Sequence, residues 1–394
     1  MKILYFTRDY TPHDHRFLSA LAQTEHQVAY LRLERRGHTL EDRALPPQVE
    51  QVPWKGGQQP FTYAQVPALL SDLKRVIRQF QPDVIQAGPI QTAAFLVALA
   101  GFPRLVSMSW GYDLMHDAER TAFMRWSTRF TLQRSAALVG DCLPVRQQAR
   151  KFGMPEARIV TFPWGVDLKH FSPEGRWDIP AGESAAPLRL LSTRSWEPIY
   201  GVEVLARGFA RAAQQLGSES LQLIMLGNGS LAGELRQVFS SAQVSEQVYC
   251  PGQVSQSDLP RYYRMADLYL SASRTDGTSI SLLEALACGT PALLSDIPGN
   301  REWLEPGVQG WYFKDGDADA LAQAILQAAA QREHLPTLGK AARVLAERRA
   351  DWEQNFMKLF DAYQIACPEG AWQSQPGSLA GAGGLHRVET GASQ

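Results

Sequence analysis

The stretch 271–291 places two carboxylates around the start of a predicted helix. It reads SASRTDGTSISLLEALACGTP, with Asp276 in a polar turn and Glu284 inside a helix expected from about Ser281 to Cys288. The backbone amides between the carboxylates are expected to be free, because the first turn of a helix has no internal acceptors for them. These amides belong to Gly277, Thr278, Ser279 and Ile280. A helix N-terminus attracts anions, so the spacing predicts a site for a phosphate.

A structural alternative explains the same residues without any ligand. Ser281 and Glu284 have the spacing of a capping box, in which the glutamate side chain accepts a hydrogen bond from a backbone amide of its own helix. Capping boxes are common, so the carboxylate pair alone leaves both interpretations open.

The wider pattern resembles the E-x7-E segment of glycosyltransferase family 4. Members of this family are retaining nucleotide-sugar transferases of the GT-B fold, an α/β architecture in which two Rossmann-like domains face each other across a cleft. Asp276 stands in place of the usual first glutamate. The resemblance implies that Glu284 binds the ribose hydroxyls of the donor and that Asp276 binds hydroxyls of the donor sugar. It also implies that the amides of residues 277–280 hold sugar and phosphate.

Composition and charge narrow the class of protein. A chain of 394 residues is too long for one compact core and suggests two domains. A formal net charge of -1 gives no basic footprint for nucleic acid. The four cysteines form no CxxC pair, which indicates a reducing cytoplasm and neither a disulfide framework nor a zinc site. The N-terminus lacks the apolar core of a signal peptide, and the longest apolar run is too short to span a bilayer.

Strand-like and helix-like segments alternate along the chain and predict a doubly wound parallel sheet. We expect an N-terminal, acceptor-side Rossmann-like domain over 1–173, which closes on GVDLKHFSP, a string that resembles a family signature. A linker rich in Pro and Gly is expected over 174–187, and a C-terminal nucleotide-sugar domain over 188–350. A helix over 351–366 is expected to cross back onto the first domain, as in GT-B proteins. The tail 367–394 is expected to be disordered, because Gly, Ser, Ala and Gln dominate it.

Four polar residues, His13, Asp14, His15 and Arg16, crowd the carboxyl end of the first predicted strand, where open α/β sheets bind ligands. The alternative is a solvated polar turn in which Asp14 caps the following helix. In family 4 the corresponding loop faces the donor diphosphate and commonly reads Gly-Gly, which is absent here. Arg16 is therefore a candidate for contact with the donor.

The loop Trp110-Gly111-Tyr112-Asp113 follows a later strand and resembles the HG-x-D loop of the family. Gly111 and Asp113 match, which implies donor contact for the first and a place in the catalytic set for the second. Trp110 stands where the family has a histidine close to the transfer centre, so no catalytic histidine is expected there. His116 is near enough in sequence to reach the site, but a surface position is the favoured interpretation.

Arg194 and Gly201 match the R…KG pattern of the family, but Tyr200 stands in place of the lysine. In the family this arginine and lysine neutralise the donor diphosphate. Either one cation and the helix N-termini suffice here, or Arg16 or Arg301 takes the place of the missing lysine.

Gly227, Gly229 and Gly233 form a G-x-G-x-x-x-G pattern between a predicted strand and a helix, which admits a dinucleotide-binding interpretation. That strand is not the first of its domain, and the next one ends without the acidic residue that would hold a ribose. The same string also matches the family's G-x-G-x-L, which favours the transferase interpretation.

The resemblance implies transfer of a sugar from a nucleotide-diphosphate sugar to an unidentified glycan, lipid-linked or small-molecule acceptor. Asp276, Arg194 and Asp113 are the implied catalytic residues. No cofactor and no metal are expected, because amides and cations can stabilise the leaving charge. The acceptor proton is expected to pass to an oxygen of the leaving phosphate. Two alternatives are a non-catalytic nucleotide-sugar binding protein and a dinucleotide-dependent oxidoreductase.

The segment RTAFMRWSTRFTLQRS carries Arg125 and Arg129 beside Trp126 and Phe130. Basic amphipathic helices of this kind bind anionic membrane surfaces. The arginines do not form one stripe, so an ordinary domain helix is the favoured interpretation. The predicted location is the cytoplasm, and a peripheral contact with the inner face of the membrane stays open.

Overall fold

The computed structural model describes residues 1–35, 40–175, 186–217 and 219–368. These residues form two parallel β-sheets with helices packed against them. The first sheet has the strand order β3-β2-β1-β4-β5-β6-β7. Its strands are β1 Lys2–Thr7, β2 Gln27–Arg32, β3 Glu50–Gln51, β4 Val84–Gly88, β5 Leu105–Met108, β6 Ala137–Gly140 and β7 Ile159–Thr161.

The second sheet is built in the same way and has the strand order β10-β9-β8-β11-β12-β13. Its strands are β8 Leu188–Ser192, β9 Leu221–Leu226, β10 Val248–Gly252, β11 Leu268–Ser271, β12 Ala292–Ser295 and β13 Gly310–Phe313. In both sheets the strand order reverses beside the first strand of the domain, which is where open α/β sheets bind their ligands.

The helices alternate with the strands, as the sequence predicts. Those before the second sheet are α1 Pro12–Leu21, α2 Val66–Phe80, α3 Ala93–Ala100, α4 Ala118–Arg120, α5 Ala122–Arg134 and α6 Leu143–Lys151, with a π-helical turn at Asp113–Asp117. The later ones are α7 Val202–Leu216, α8 Ala232–Ser241, α9 Leu259–Met265, α10 Ile280–Ala287, α11 Pro298–Arg301, α12 Ala318–Ala330, α13 Leu335–Arg349, α14 Trp352–Phe356 and α15 Leu359–Ala366.

Both faces of the first sheet are buried, because alternate residues of its central strand enter different cores. Ile3 and Tyr5 belong to one hydrophobic cluster, and Leu4 and Phe6 belong to another. This explains why KILYFT is continuously apolar rather than alternating. The observed architecture confirms the predicted α/β class.

The C-terminal segment packs on the first sheet. Phe356, Leu359 and Tyr363 lie in the same buried cluster as Ile3 and Val106. The segment forms α14 and α15 with a break between them, rather than the single helix expected over 351–366.

Two expectations fall largely outside the described residues. The central part of the predicted linker, 176–185, and most of the predicted tail, 369–394, lie there. None of the helices in the described ranges is both long enough and apolar enough to cross a lipid bilayer.

Tyr363 fastens the C-terminal segment to the first sheet, which yields a prediction for stability. Its hydroxyl donates to Oε1 of Gln86, whose Nε2 in turn donates to the sulfur of Met108. In Tyr363→Phe, Gln86 loses this partner inside the core, so the free energy of unfolding should fall by about 1–3 kcal/mol. Urea denaturation would measure the loss. The control Tyr249→Phe, at a tyrosine that is 52% exposed, should unfold like the wild type; equal stability of all three proteins would contradict the prediction.

Candidate functional site

The helix predicted within residues 271–291 begins one residue earlier than expected. Helix α10 covers Ile280–Ala287, and its N-cap is Ser279, whose hydroxyl accepts from the amide of Leu282. The proposed capping box of Ser281 and Glu284 is therefore wrong, and Glu284 lies too deep in the helix to cap it. The carboxylate of Glu284 is therefore available for contacts outside its own helix.

Glu284 points into the protein interior between the domains. It is only 7% exposed, and its Oε2 accepts a hydrogen bond of 2.8 Å from the hydroxyl of Tyr263 on α9. Burial raises the pKa of Glu284 to about 7, against the opposing effects of Tyr263, Arg16 and Arg194. The last two residues, one from each domain, are thus close enough for their charges to act on this carboxylate.

Arg194 joins the end of β8 to the loop of residues 276–279 that precedes α10. This loop is called the donor loop. Its Nη2 lies 2.6 Å from Oδ2 of Asp276, and its Nη1 donates to the hydroxyls of Ser279 and Ser281. Burial works against the charge of Arg194, but Asp276 and neighbouring tyrosines outweigh it, so its pKa is raised. Its buried Nε has no hydrogen-bond partner among the described residues. The predicted catalytic pair, Arg194 and Asp276, is thus brought into direct contact.

Tyr200 supports Arg194 instead of supplying a second cation. The guanidinium carbon of Arg194 lies 4.1 Å from the centroid of the Tyr200 ring, the distance of a cation–π contact. Arg301, one proposed substitute for the missing lysine, is on the surface and forms an ion pair with Asp296 at 2.5 Å. Its guanidinium is therefore engaged with Asp296.

One amide of the donor loop is already occupied, contrary to the expectation of four free amides. The amide of Thr278 donates to Oδ2 of Asp141 at 2.7 Å, and the Thr278 hydroxyl donates to the backbone oxygen of Asp141 at 2.7 Å. Asp141 follows β6 in the N-terminal domain, so these bonds join the two domains. Gly277 permits the approach, because a Cβ there would lie 2.3 Å from Oδ2 of Asp141.

Asp141 is not among the site residues predicted from the sequence. Its carboxylate is only 4% exposed, and its Oδ1 finds no partner in the described part of the chain. Burial raises the pKa of Asp141 to about 7, and the nearby charge of Asp276 adds to the effect. Its position at the carboxyl end of the parallel strand β6 was the available signal, the same kind of position that drew attention to residues 13–16.

The Trp110-to-Asp113 loop closes the N-terminal side of the cleft. The Asp113 carboxylate accepts hydrogen bonds from the Ser109 hydroxyl at 2.6 Å and from the amides of Ile90 and Trp110 at 3.0 and 3.1 Å. Asp113 therefore holds the loop in place, and its catalytic role stays a prediction. Gly111 has φ +88°, and a Cβ on it would lie 3.3 Å from the Gly277 nitrogen, so this glycine lies against the donor loop.

An imidazole lies beside the indole that replaces the family's histidine. The His13 ring stacks on Trp110 with a centroid separation of 5.3 Å. Burial lowers the pKa of His13 to about 3, with Arg16 adding to the effect, so the ring is neutral near pH 7. His116 is exposed and stacks on Tyr112, in agreement with the favoured surface position.

Arg16 is the N-terminal domain's cation in this cleft. Its Nη1 donates to the backbone oxygen of Gly165 at 2.7 Å, and its guanidinium lies 4.2 Å from the centroid of the Trp352 ring. The other two nitrogens, Nε and Nη2, are buried without hydrogen-bond partners among the described residues. Burial lowers the pKa of Arg16 to about 10, and the charge of Glu284 opposes that change.

The neighbouring residues of α1 have structural partners. Asp14 is the third residue of the helix and forms a capping box with Thr11. It therefore caps the helix, as the alternative held, but it is buried rather than solvated. Burial raises the pKa of Asp14 to about 7, despite hydrogen bonds that favour its charge.

The glycine pattern of the second domain serves close packing. A Cβ on Gly229 would lie 2.4 Å from the backbone oxygen of Trp196, and both the amide and the hydroxyl of Ser230 donate to Glu197. The amide that a dinucleotide phosphate would need is thus engaged within the protein. Over the described ranges, no three His, Cys, Asp or Glu side chains are grouped closely enough to hold a metal ion.

Comparison with protein families gives matches in both halves of the chain. The model described as glycosyltransferase family 4 matches residues 13–170, and the model described as glycosyl transferases group 1 matches residues 182–345. Together they cover both observed sheets, apart from the first strand and a few residues between the matches.

Individual relatives are more distant. A GDP-mannose-dependent alpha-(1-6)-phosphatidylinositol monomannoside mannosyltransferase of Mycolicibacterium smegmatis is 24% identical over 319 residues, covering 74% of this chain and 79% of the relative. A D-inositol 3-phosphate glycosyltransferase of Geodermatophilus obscurus is 29% identical over 246 residues, covering 59% of this chain and 54% of the relative.

Solved structures share the whole architecture. Sucrose-phosphate synthase of Thermosynechococcus elongatus superposes with a TM-score of 0.74 at 17% identity, covering 92% of this chain and 98% of that protein. Anabaena HepE in complex with UDP gives a TM-score of 0.71 at 17% identity, covering 92% and 99%. At this identity the likeness concerns the fold alone, and it confirms the predicted GT-B arrangement.

The buried Asp141 carboxylate yields a prediction about pH. Its folded-state pKa of about 7 lies above the ordinary value, so the folded protein binds this proton more tightly than the unfolded chain does. The resulting stability is present at low pH and is lost as the pH rises through about 7. Asp141→Asn keeps an acceptor for Thr278 without the charge, so above about pH 7 it should be more stable than the wild type by about 1 kcal/mol or more.

Melting temperatures between about pH 5 and about pH 8 would test this sign. The wild type should lose more stability over that range than Asp141→Asn does. Asp315→Asn, at an exposed aspartate, is the matched control and should follow the wild type. Parallel pH curves for all three proteins would exclude Asp141 as the titrating group.

Proposed function

The chain belongs to glycosyltransferase family 4, and we propose that it transfers a sugar from a nucleoside diphosphate sugar to a glycan, lipid-linked or small-molecule acceptor. The transfer retains the anomeric configuration and uses no metal. Family membership makes the protein a glycosyltransferase, so the oxidoreductase and the non-catalytic binding protein fall away as interpretations.

The observation that carries the proposal is the pair of unused donors on Arg16. Nε and Nη2 are buried between the domains without partners in the described chain. Unsatisfied buried donors are costly, and guanidinium groups pair strongly with phosphate oxygens. A diphosphate between Arg16 and Arg194 would satisfy these atoms. Arg16 then takes the place of the lysine that is missing at Tyr200.

The remaining roles follow from position. Glu284 accepts hydrogen bonds from the ribose hydroxyls, and Asp276 accepts them from hydroxyls of the donor sugar. The amides of residues 277–280 bind sugar and phosphate once Asp141 releases the amide of Thr278. Asp113 keeps Gly111 against the donor loop.

The chemical step needs stabilisation of the departing diphosphate and a destination for the acceptor proton. The two arginines and the N-terminus of α10 stabilise the developing negative charge. The anomeric C–O bond to the phosphate breaks, the acceptor oxygen bonds to the same face, and its proton passes to the leaving phosphate oxygen. This route accounts for retention without a protein nucleophile.

Two donor nucleotides are suggested by the relatives' names. The mycobacterial relative is named as GDP-mannose-dependent, and solved structures of Anabaena HepE contain UDP and UDP-glucose. The first experiment is therefore calorimetric titration with UDP-, GDP- and ADP-sugars beside NAD, followed by an assay for donor turnover. Binding of NAD with no binding of any nucleotide sugar would overturn the proposal.

Glu284→Gln tests the ribose contact with the donor that binds. Glutamine keeps an acceptor for Tyr263 but removes the charge, so the dissociation constant should rise about tenfold, as expected for a hydrogen bond to a charged group. Glu246→Gln, on the surface of the same domain, provides the control. Unchanged donor affinity in a folded Glu284→Gln protein would assign Glu284 a structural role only.

Arg16→Ala tests the diphosphate contact. The variant should bind the nucleoside diphosphate at least about tenfold more weakly, because a charge-assisted contact is lost, while its affinity for the free nucleoside stays the same. Arg104→Ala, far from the cleft in the same domain, controls for general effects of removing an arginine. An equal loss for nucleoside and diphosphate would instead indicate a disturbed fold.

We also infer that the N-terminal domain contacts an anionic membrane surface through α5. Phe123 and Trp126 are 42% and 50% exposed, and Tyr63 beside them is 39% exposed. Helix α5 carries three arginines and no acidic residue. Exposed aromatic rings with a basic flank are typical of surfaces that lie in the lipid headgroup region. Such a contact would present a lipid-linked acceptor to the cleft.

Vesicle sedimentation checks the membrane contact. The wild type should bind vesicles that contain phosphatidylglycerol and not vesicles of phosphatidylcholine alone. The double variant Phe123→Ser with Trp126→Ser should bind about tenfold or more weakly, because burial of each aromatic side chain stabilises by about 1.5–3 kcal/mol. Tyr249→Ser removes an exposed aromatic ring from the other domain and should bind normally; if both proteins bind alike, α5 is not the contact.

A further inference from the structure

A polar cavity lies in the N-terminal domain, apart from the contact between the domains. Its volume is about 270 Å³. Asp9 and Tyr10, which follow β1, line one side, and Arg32, the last residue of β2, lines another. The cavity thus lies at the carboxyl ends of adjacent parallel strands, where α/β sheets hold ligands. None of the residues that line it belongs to the predicted donor site.

The charges around the cavity leave an excess of cations. Arg43 is neutralised by Glu41, to which it donates two hydrogen bonds of 2.9 and 2.6 Å. Arg32 is 3.9 Å from the nearest oxygen of Asp9, and its buried Nε has no hydrogen-bond partner in the described ranges. Arg35 lines the cavity as well and is exposed. Among the described residues that line the cavity, three arginines therefore stand against the two carboxylates of Asp9 and Glu41.

Aromatic rings and hydroxyls complete the wall. The rings of Tyr10 and Tyr30 lie 5.7 Å apart and offer apolar surface beside polar edges. Burial raises the pKa of Tyr10 to about 12, so its hydroxyl keeps its proton. Flat apolar rings with hydroxyl groups at their edges suit the alternating CH and OH surface of a sugar.

Helix α1 separates this cavity from the donor cleft. The hydroxyl of Tyr10 is 2.8 Å from Nδ1 of His15, and the next residue is Arg16. The charge of Arg43 at the cavity helps to lower the pKa of Arg16, so the two sites lie within electrostatic reach of each other. A substrate that occupies the cavity would therefore lie close to the diphosphate proposed at Arg16.

We propose that the cavity is a subsite for an anionic sugar unit of the acceptor, with its phosphate or carboxylate group bound by Arg32 and Arg35. This inference rests on the proposed glycosyltransferase function. Ligand pockets typically measure about 300–1,000 Å³, so the cavity suits one sugar unit and not an oligosaccharide. An anionic group accepts charge-assisted hydrogen bonds from guanidinium groups, which a neutral sugar cannot match.

Titration of the full chain with three monosaccharides tests the subsite without a donor. The probes are glucose 6-phosphate, glucuronate and glucose. At least one anionic sugar should bind about tenfold or more tightly than glucose, since its charge-assisted contacts are absent from glucose. Binding of only the phosphate or only the carboxylate identifies the acidic group. Equal binding of all three sugars, or binding of none, would overturn the proposal.

Variants locate the binding. Arg35→Gln changes an exposed residue, and Arg32→Gln changes a partly buried one. Each variant should lower the affinity for the anionic sugar about tenfold, because a charged hydrogen bond is lost. Arg16→Ala, in the donor cleft, should weaken binding of this sugar less than either of these variants does, because it removes a nearby charge but no hydrogen bond. Arg236→Gln, on the surface of the other domain, should bind the sugar like the wild type. If Arg16→Ala abolishes binding and Arg35→Gln does not, the sugar occupies the donor cleft and the inference is wrong.

Titration of the same proteins with nucleotide sugars separates the two proposals. Wild-type binding of a nucleotide sugar without binding of any anionic monosaccharide removes only the acceptor subsite. Absence of any nucleotide-sugar binding removes the proposed function, whatever the monosaccharides do. Normal donor affinity of Arg32→Gln would also show that this variant is folded.

Discussion

The charge balance between the two domains is the constraint on which the site depends. The cleft buries most of three carboxylates and two guanidinium groups, those of Asp141, Asp276, Glu284, Arg16 and Arg194. Buried charges are costly unless they are paired and hydrogen-bonded. Of these three carboxylates, only that of Asp276 has a direct ion pair within the described part of the chain, at 2.6 Å from Arg194. Asp141 and Glu284 are held by hydrogen bonds instead, and burial raises the pKa of each to about 7.

The hydrogen bond from the amide of Thr278 to Asp141 is part of this charge balance. Asp141 accepts a hydrogen bond from the same N–H that the donor was expected to use. A diphosphate entering the cleft adds negative charge close to three carboxylates. For this reason the carboxylate of Asp141 must either leave the amide of Thr278 or take up a proton. Because the pKa of Asp141 is about 7, protonation near neutral pH requires little free energy. In the proposed donor site, the contact between the domains and the binding of the donor would therefore be coupled through the side chain of Asp141.

The sequence predicted the parts of the site that lie on one element and missed those that depend on how elements meet. Apolar runs and spacing located the strands, helix α10 and the position of Glu284. The capping box of Ser281 and Glu284, one of the two interpretations left open, is wrong because Ser279 is the N-cap, and only the backbone path distinguishes the two serines. Asp141 was not predicted, because its contact with Thr278 joins residues that are 137 positions apart in the sequence. A local sequence pattern does not contain such a contact.

Two departures from the family pattern have the same physical character. Where the family has a lysine and a histidine, this chain has Tyr200 and Trp110, and each ring lies against a polar group from elsewhere in its domain. The guanidinium of Arg194 lies 4.1 Å from the Tyr200 ring, and the His13 ring stacks on Trp110 at 5.3 Å. An aromatic face can fix the orientation of a cation or an imidazole without competing for its hydrogen-bond donors. At Trp110 an imidazole from another element thus lies beside the substituted position, whereas Tyr200 supports the arginine that the family pattern already contains.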